Sequence, residues 1–208
     1  MAGKKFEQQL AALDELRRAR PSAEGVEQLS KALRNPNNYL VAKAAKAAAQ
    51  LGLQTLIPEL VSALDRFFVD PAKSDPQCWA KHALVQALAE LGHTDPTAFL
   101  RGMRHVQMEP VWGGQQDTAG RLRASCALAL VQCGGLSDFE LLAHLTDALV
   151  DSDKTVRSEA ARAIGRVGRP EAALLLRLRA LTGDPEPEVL GASFSLCFRS
   201  RAVKASSL

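Results

Sequence analysis

Thr155–Gly168, TVRSEAARAIGRVG, decides the fold, because the chain repeats it. Aligned on the closing glycine, it returns as YLVAKAAKAAAQLG at Tyr39–Gly52, WAKHALVQALAELG at Trp79–Gly92 and RLRASCALALVQCG at Arg121–Gly134. Self-similarity at a spacing of roughly 30–45 residues marks stacked repeats, each of which buries its apolar face only against the next. In Thr155–Gly168, the residues Val156, Ala160, Ala163, Ile164 and Val167 share one helical face, while Ser158, Arg162 and Arg166 face away. Each copy therefore reads as the second helix of a pair.

The partner helices are expected at Ala23–Arg34, Leu56–Phe68, Thr97–Met108 and Asp138–Val150, with a fifth pair at Glu171–Leu181 and Val189–Phe198. Lys5–Arg20 reads as an N-terminal capping helix (1–21), followed by pairs at 22–53, 54–93, 94–135, 136–168 and 169–200 and a tail at 201–208. Gly52, Gly92, Gly134 and Gly168 sit where helices end in a left-handed residue. Asp95-Pro96 and Ser137 with Glu140 are helix-start signals. Pro21-Ser22 and Asn35-Pro36 break helices. No stretch is expected to form a strand. The expectation is an all-α fold, a right-handed α-solenoid of about five helix pairs forming a single domain over 1–208.

Composition fits that reading. The chain is 47% hydrophobic but only 5% aromatic, so its core is built from Ala, Leu and Val, which suits closely packed helices. A formal net charge of +3 neither demands nor excludes nucleic acid. No apolar run reaches the roughly 18 residues of a membrane span, and the charged N-terminus does not read as a leader. Cys78, Cys126, Cys133 and Cys197 form no CxxC pair. Cys126 shares a column with Ala44 and Ala160, and Cys133 with Leu51, Leu91 and Val167, so both are expected to be buried. A reduced, cytoplasmic protein follows as the expectation.

DSDKTVRSEAARAIGRVG (Asp151–Gly168), with looser echoes in RNPNNYLVAKAAKAAAQLG (Arg34–Gly52) and GDPEPEVLGASF (Gly183–Phe194), resembles HEAT repeats, particularly the short bacterial form of the phycobilin lyases. The resemblance implies an armadillo-like solenoid and says little about activity, since such repeats serve scaffolds, chaperones, lyases, hydroxylases and DNA glycosylases. The fifth copy departs from the pattern: Phe194 and Phe198 replace small residues and no closing glycine follows, as in a terminal cap.

Lys81, Arg123 and Arg157 occupy one column of the repeat. Two readings stand: a basic ridge that tracks phosphates, or structural bonds within the fold. In the repeats it resembles, the matching Arg bonds an aspartate or carbonyl of a neighbouring turn, and Asp151 and Asp184 are at hand. The face expected to line the concave side carries Lys46, Gln86, Leu128 and Arg162, with His82 and Ser158 one turn earlier. That set is mixed rather than uniformly basic.

QMEPVWGGQQDTAGR (Gln107–Arg121) is the unusual segment, a long link holding Trp112 beside Gly113-Gly114 and ahead of Asp117. Long links in compact repeats carry function or are disordered, and this one is not low-complexity. The preceding repeat also has a long link, VDPAKSDPQC (Val69–Cys78), running into Trp79. Trp79, Trp112, Asp70, Asp75, Glu109 and Asp117 are therefore expected to gather on one edge as a partner-binding site. The alternatives are that Trp112 plugs a gap between helices and that Asp117 caps the helix beginning near Ala119.

Enzyme readings find little support. His82, His93, His105 and His144 are not followed by Glu, as di-iron hydroxylases of this repeat class require. Trp112 with Asp117 only loosely echoes the alkylpurine glycosylases. No bilin pocket signature, metal-ligand spacing or phosphate-binding glycine loop is present. The expected function is a non-catalytic protein-binding or scaffolding module, using the concave face and the 107–121 loop, with no cofactor and no membrane association. The alternative is a nucleic-acid binder, glycosylase-like in kind.

Overall fold

The computed structural model describes residues 2–18 and 22–194. Its helices are α1 (Ala2–Arg18), α2 (Ala23–Leu33), α3 (Asn38–Gln50), α4 (Ile57–Phe67), a short α5 (Pro71–Ser74), α6 (Trp79–Glu90), α7 (Pro96–Met103), α8 (Gly120–Leu130), α9 (Asp138–Leu149), α10 (Lys154–Val167) and α11 (Pro170–Thr182). A further helix occupies 187–194. Between α7 and α8 lies an antiparallel hairpin, β1 (Met108–Val111) with β2 (Gly114–Asp117). Cys197, Phe198, Pro21 and the tail at 201–208 lie outside the described residues.

Packing divides the chain into two compact units, Met1–Thr94 with Val106–Leu122, and Asp95–His105 with Arg123–Leu208. In the first, α3 packs against α1, α2 and α6, and α6 also against α4. In the second, α10 packs between α9 and α11. The repeated copies are thus the central helices. Ala44, Ala45, Ala47 and Ala48 of α3 and Ala80, Leu84, Val85, Ala87 and Leu88 of α6 are buried. Small side chains on both surfaces bring the helix axes close, and the bulk is supplied from the partner helices by Leu29, Leu60, Leu64 and Phe67.

Helix ends follow the sequence signals closely. Asp95 accepts from the Thr97 amide, and Ser137 with Glu140 forms a reciprocal capping box. After α3 the Gly52 amide donates to the Ala49 carbonyl and the Leu53 amide to that of Ala48; Gly92 and His93 repeat this with Ala89 and Leu88. That geometry places the glycine at φ +65 and +76, where an L side chain is strained.

Five expectations need correction. The region 107–121 contains strands, although none was expected. β1 is too short to show a period, and Pro110 within it argues against a strand except at an exposed edge, where it sits. The helix expected over Thr97–Met108 stops at Met103, and Met108 instead opens β1. The third copy reverses at Gly135 (φ +78) rather than Gly134, because α8 already ends at Leu130 and the doubled glycine shifts the turn. Cys133 consequently falls beyond the helix and is only half-buried, unlike the fully buried Cys126. Ser158, the fifth residue of α10, is buried rather than facing away.

Ala160, Ala163 and Ile164 are completely buried among Leu142, Leu145, Val156 and Leu176. Ala163→Leu is expected to overpack this seam and to destabilise the protein by about 1–3 kcal/mol, measured by urea denaturation. A midpoint equal to that of the unsubstituted protein would mean the seam can open without cost.

Candidate functional site

An aspartate stands six residues before each cation of the column, Asp75, Asp117 and Asp151 before Lys81, Arg123 and Arg157, and Asp184 stands six before Leu190 in the fifth copy. In three repeats this Asp accepts the amide two residues on. Asp117 takes Ala119, Asp151 takes Asp153 and Asp184 takes Glu186, at 3.0, 2.8 and 2.9 Å. Such Asx turns start the following helix.

The cations of the column are inside ion pairs, so no phosphate-tracking ridge exists at these positions. Arg123 forks onto both oxygens of Asp151 (2.8 and 2.9 Å) and donates to the His105 carbonyl. Arg157 forks onto Asp184 (2.8 and 3.1 Å) and donates to the carbonyls of Asp151 and Ser152. Arg179 shares Asp184. Lys81, wholly buried, pairs with wholly buried Asp75 at 3.0 Å and donates to the Phe67 carbonyl. A lysine is shorter than an arginine and cannot fork, and it finds its carboxylate in its own loop rather than in the next repeat.

Turning Asp75 inward changes that loop. Asp75 accepts from Asn38 and from the amides of Ala80 and Lys81. The amide of Gln77, which the Asx turn would have satisfied, is instead taken by Glu109 of β1 at 2.7 Å. Asp70, Gln77 and Cys78 hold φ of +47, +57 and +54, a strained run for residues other than glycine. The hairpin locks it. Gln107 Nε2 donates to the Asp75 carbonyl (2.9 Å) and to Glu109 (2.5 Å), the Cys78 thiol donates to Gln107 Oε1, and Thr118 Oγ1 donates to Glu109. Asp117 closes the neck by accepting from the Gln107 and Ala119 amides. Burial pushes the Cys78 thiol up to about 11, so it stays protonated and serves as a donor.

Of the residues expected on the loop edge, Asp75, Glu109 and Asp117 are thus brought together as the fixed base of the hairpin. Trp112 is at its tip, fully exposed, and does not plug the fold; Val111 and Met108 beside it are about half exposed. Asp70 is exposed at the start of α5. Trp79 is half exposed, its indole N–H donating to Gln77, and it lies 5.8 Å from the Tyr39 ring, which in turn lies 6.4 Å from Phe6. Lys46 and Gln86 are exposed on α3 and α6 in the first unit, and His82 is partly buried beside Arg121. Burial first, and the charge of Arg121 second, hold His82 below its usual range, so it is neutral at neutral pH. Arg162 belongs to the second unit, exposed and paired with Glu159.

Gln107, Tyr39, Lys43 and Arg121 were not singled out as site residues from the sequence. Tyr39 had a signal, since it is aligned with Trp79 in the repeat. Gln107 had none; its role depends on a partner thirty-two residues away.

Residues 115–196 match a family model described as HEAT repeats. Among curated proteins none matches the chain. No helix among the described residues is long and apolar enough to cross a membrane.

Glu109 supplies a pH test. Burial opposes its ionisation, but hydrogen bonds from Gln107, the Gln77 amide and Thr118, with the charge of Lys81, hold it below its ordinary value of 4.5. A lowered carboxyl pKa stabilises the fold fully above the unfolded value and loses that contribution as pH falls through the folded one. Hydrogen exchange at the Gln77 amide is therefore expected to accelerate, beyond its intrinsic pH dependence, on acidification below about 4.5, and to lose that extra step in Glu109→Gln. A second outcome is expected from Lys81→Met: the buried Asp75 charge loses its partner, lowering stability by about 3–5 kcal/mol in urea denaturation.

Proposed function

We propose that this chain, whose residues 115–196 match a family model described as HEAT repeats, is a non-catalytic protein-binding module whose recognition anchor is the hairpin at 107–121. The observation that carries the reading is a wholly exposed tryptophan on a fixed support. Trp112 is at the tip, flanked by exposed Met108, Pro110 and Val111, while Gln107, Glu109, Asp117 and Thr118 tie the base to the strained 70–78 loop. An exposed tryptophan offers large contact area at small cost in side-chain entropy, and a preformed hairpin reduces the ordering that binding demands. HEAT repeats generally mediate protein interaction, which agrees with this use.

The nucleic-acid alternative loses its main support here, because the column of cations meant to follow the phosphates is paired and buried. Among the described residues no cluster of His, Cys, Asp and Glu could hold a metal ion.

Trp112→Ala tests the reading in one variant. Its stability is expected to stay within about 0.5 kcal/mol of the unsubstituted protein, since the side chain packs against nothing. Proteins recovered on the immobilised chain from its native extract and identified by mass spectrometry are expected to be lost with that variant and kept with Val150→Ser, which alters exposed apolar surface in the other unit. Equal recovery on both variants would remove Trp112 as the anchor.

A further inference from the structure

Equivalent positions of α3 and α6 lie side by side, as the contact between Tyr39 and Trp79 shows. The same repeat register aligns Lys46 with Gln86 and Lys43 with Ala83. Tyr39, Lys43 and Lys46 fall one turn apart along α3, and Trp79, His82 and Gln86 along α6. Lys43 stands 5.6 Å from the Tyr39 ring centroid. Arg121 adds its charge beside His82. Lys46 and Arg121 are exposed and have no carboxylate partner among the described residues. α3 contains no acidic residue, and α6 contains only Glu90, at its last position. A chain of nearly balanced charge thus carries on its first unit three cations, Lys43 by the Tyr39 ring, Lys46 one turn on and Arg121 by His82, that form no ion pair among the described residues.

We propose that this surface binds an acidic segment of a protein partner, with Lys43, Lys46 and Arg121 facing its carboxylates and the exposed face of Trp79 seating one apolar side chain. The inference rests on the protein-binding reading and gives the partner its chemistry. The arrangement of the rings favours a peptide over a nucleic acid. Tyr39 is already in contact with Phe6, Trp79 and Lys43, so half-exposed Trp79 offers the more open ring surface of the pair, and its indole is fixed by Gln77. Single-stranded nucleic acid is held by successive stacking platforms along a longer cationic track. Here one platform and three cations match a short run of carboxylates around a single apolar anchor. His82, neutral at neutral pH, adds no charge to the set.

Fluorescence anisotropy with a fluorescein-labelled short peptide of Asp and Glu carrying one central Phe tests this on the full-length chain. The peptide is expected to bind, and binding to weaken at least about tenfold in the doubly substituted Lys43→Glu, Lys46→Glu protein, whose changes lie on the surface. The matched peptide of Asn and Gln is expected to bind at least about tenfold more weakly, and added salt to reduce binding of the acidic one. Trp112→Ala, remote in role, is expected to leave this binding unchanged. Trp79→Ala is expected to weaken it; a melt of that variant separates lost contact from lost packing. Failure of the acidic peptide to bind, or binding indifferent to the charge reversal, overturns the proposal. So does tighter binding of a labelled single-stranded oligonucleotide that is lost in the same double variant. Recovery of partners through Trp112 in the experiment above is independent of these results, so this inference can fail while that reading stands.

Discussion

A lysine buried without exposure to water cannot stay charged unless a carboxylate and further acceptors surround it. Lys81 meets this demand with Asp75 and the Phe67 carbonyl, and the loop from Asp70 to Cys78 is shaped by it. Asp75, turned inward, no longer serves the Gln77 amide; Glu109 of the hairpin does. The three left-handed residues of the loop persist because Gln107 and Glu109 hold it from outside while Asp75 holds it from within. One buried pair thereby accounts for a strained loop, for the hairpin's attachment and for the position of Trp112 at an exposed tip.

The other repeats show what the same requirement produces with arginine. Arg123 and Arg157 reach forward to Asp151 and Asp184, and each of those carboxylates also makes its own Asx turn. A guanidinium has enough donors to bind a carboxylate and carbonyls at once, so the loop remains short and needs no outside help. The insertion at 107–121 and the lysine at position 81 are therefore complementary features of one unit.

The structure also separates surface from support. Glu109, Asp117, Asp75 and Gln107 carry charge or polarity in a conspicuous loop, yet their hydrogen bonds are spent inside the protein. What they leave for a partner is apolar at the hairpin tip and cationic along α3 and at Arg121.

The sequence by itself determined the helix pairs, because a buried stripe at helical spacing and a closing glycine leave few other structures open to TVRSEAARAIGRVG and its copies. It also marked Asp95, Ser137 and Glu140 as caps, since capping is local chemistry. The Arg123–Asp151 and Arg157–Asp184 pairs were within reach of the repeat register. Tertiary structure alone decided the rest. Whether 107–121 is a strand pair depends on Gln107 and Glu109 meeting a loop some thirty residues earlier in the chain, and no local pattern in MEPVWGGQQD reports that contact. Tyr39 joins Trp79, and Lys81 disappears from the surface, for the same reason: side-chain environment is set by the neighbouring repeat, which the periodicity of a single helix does not contain.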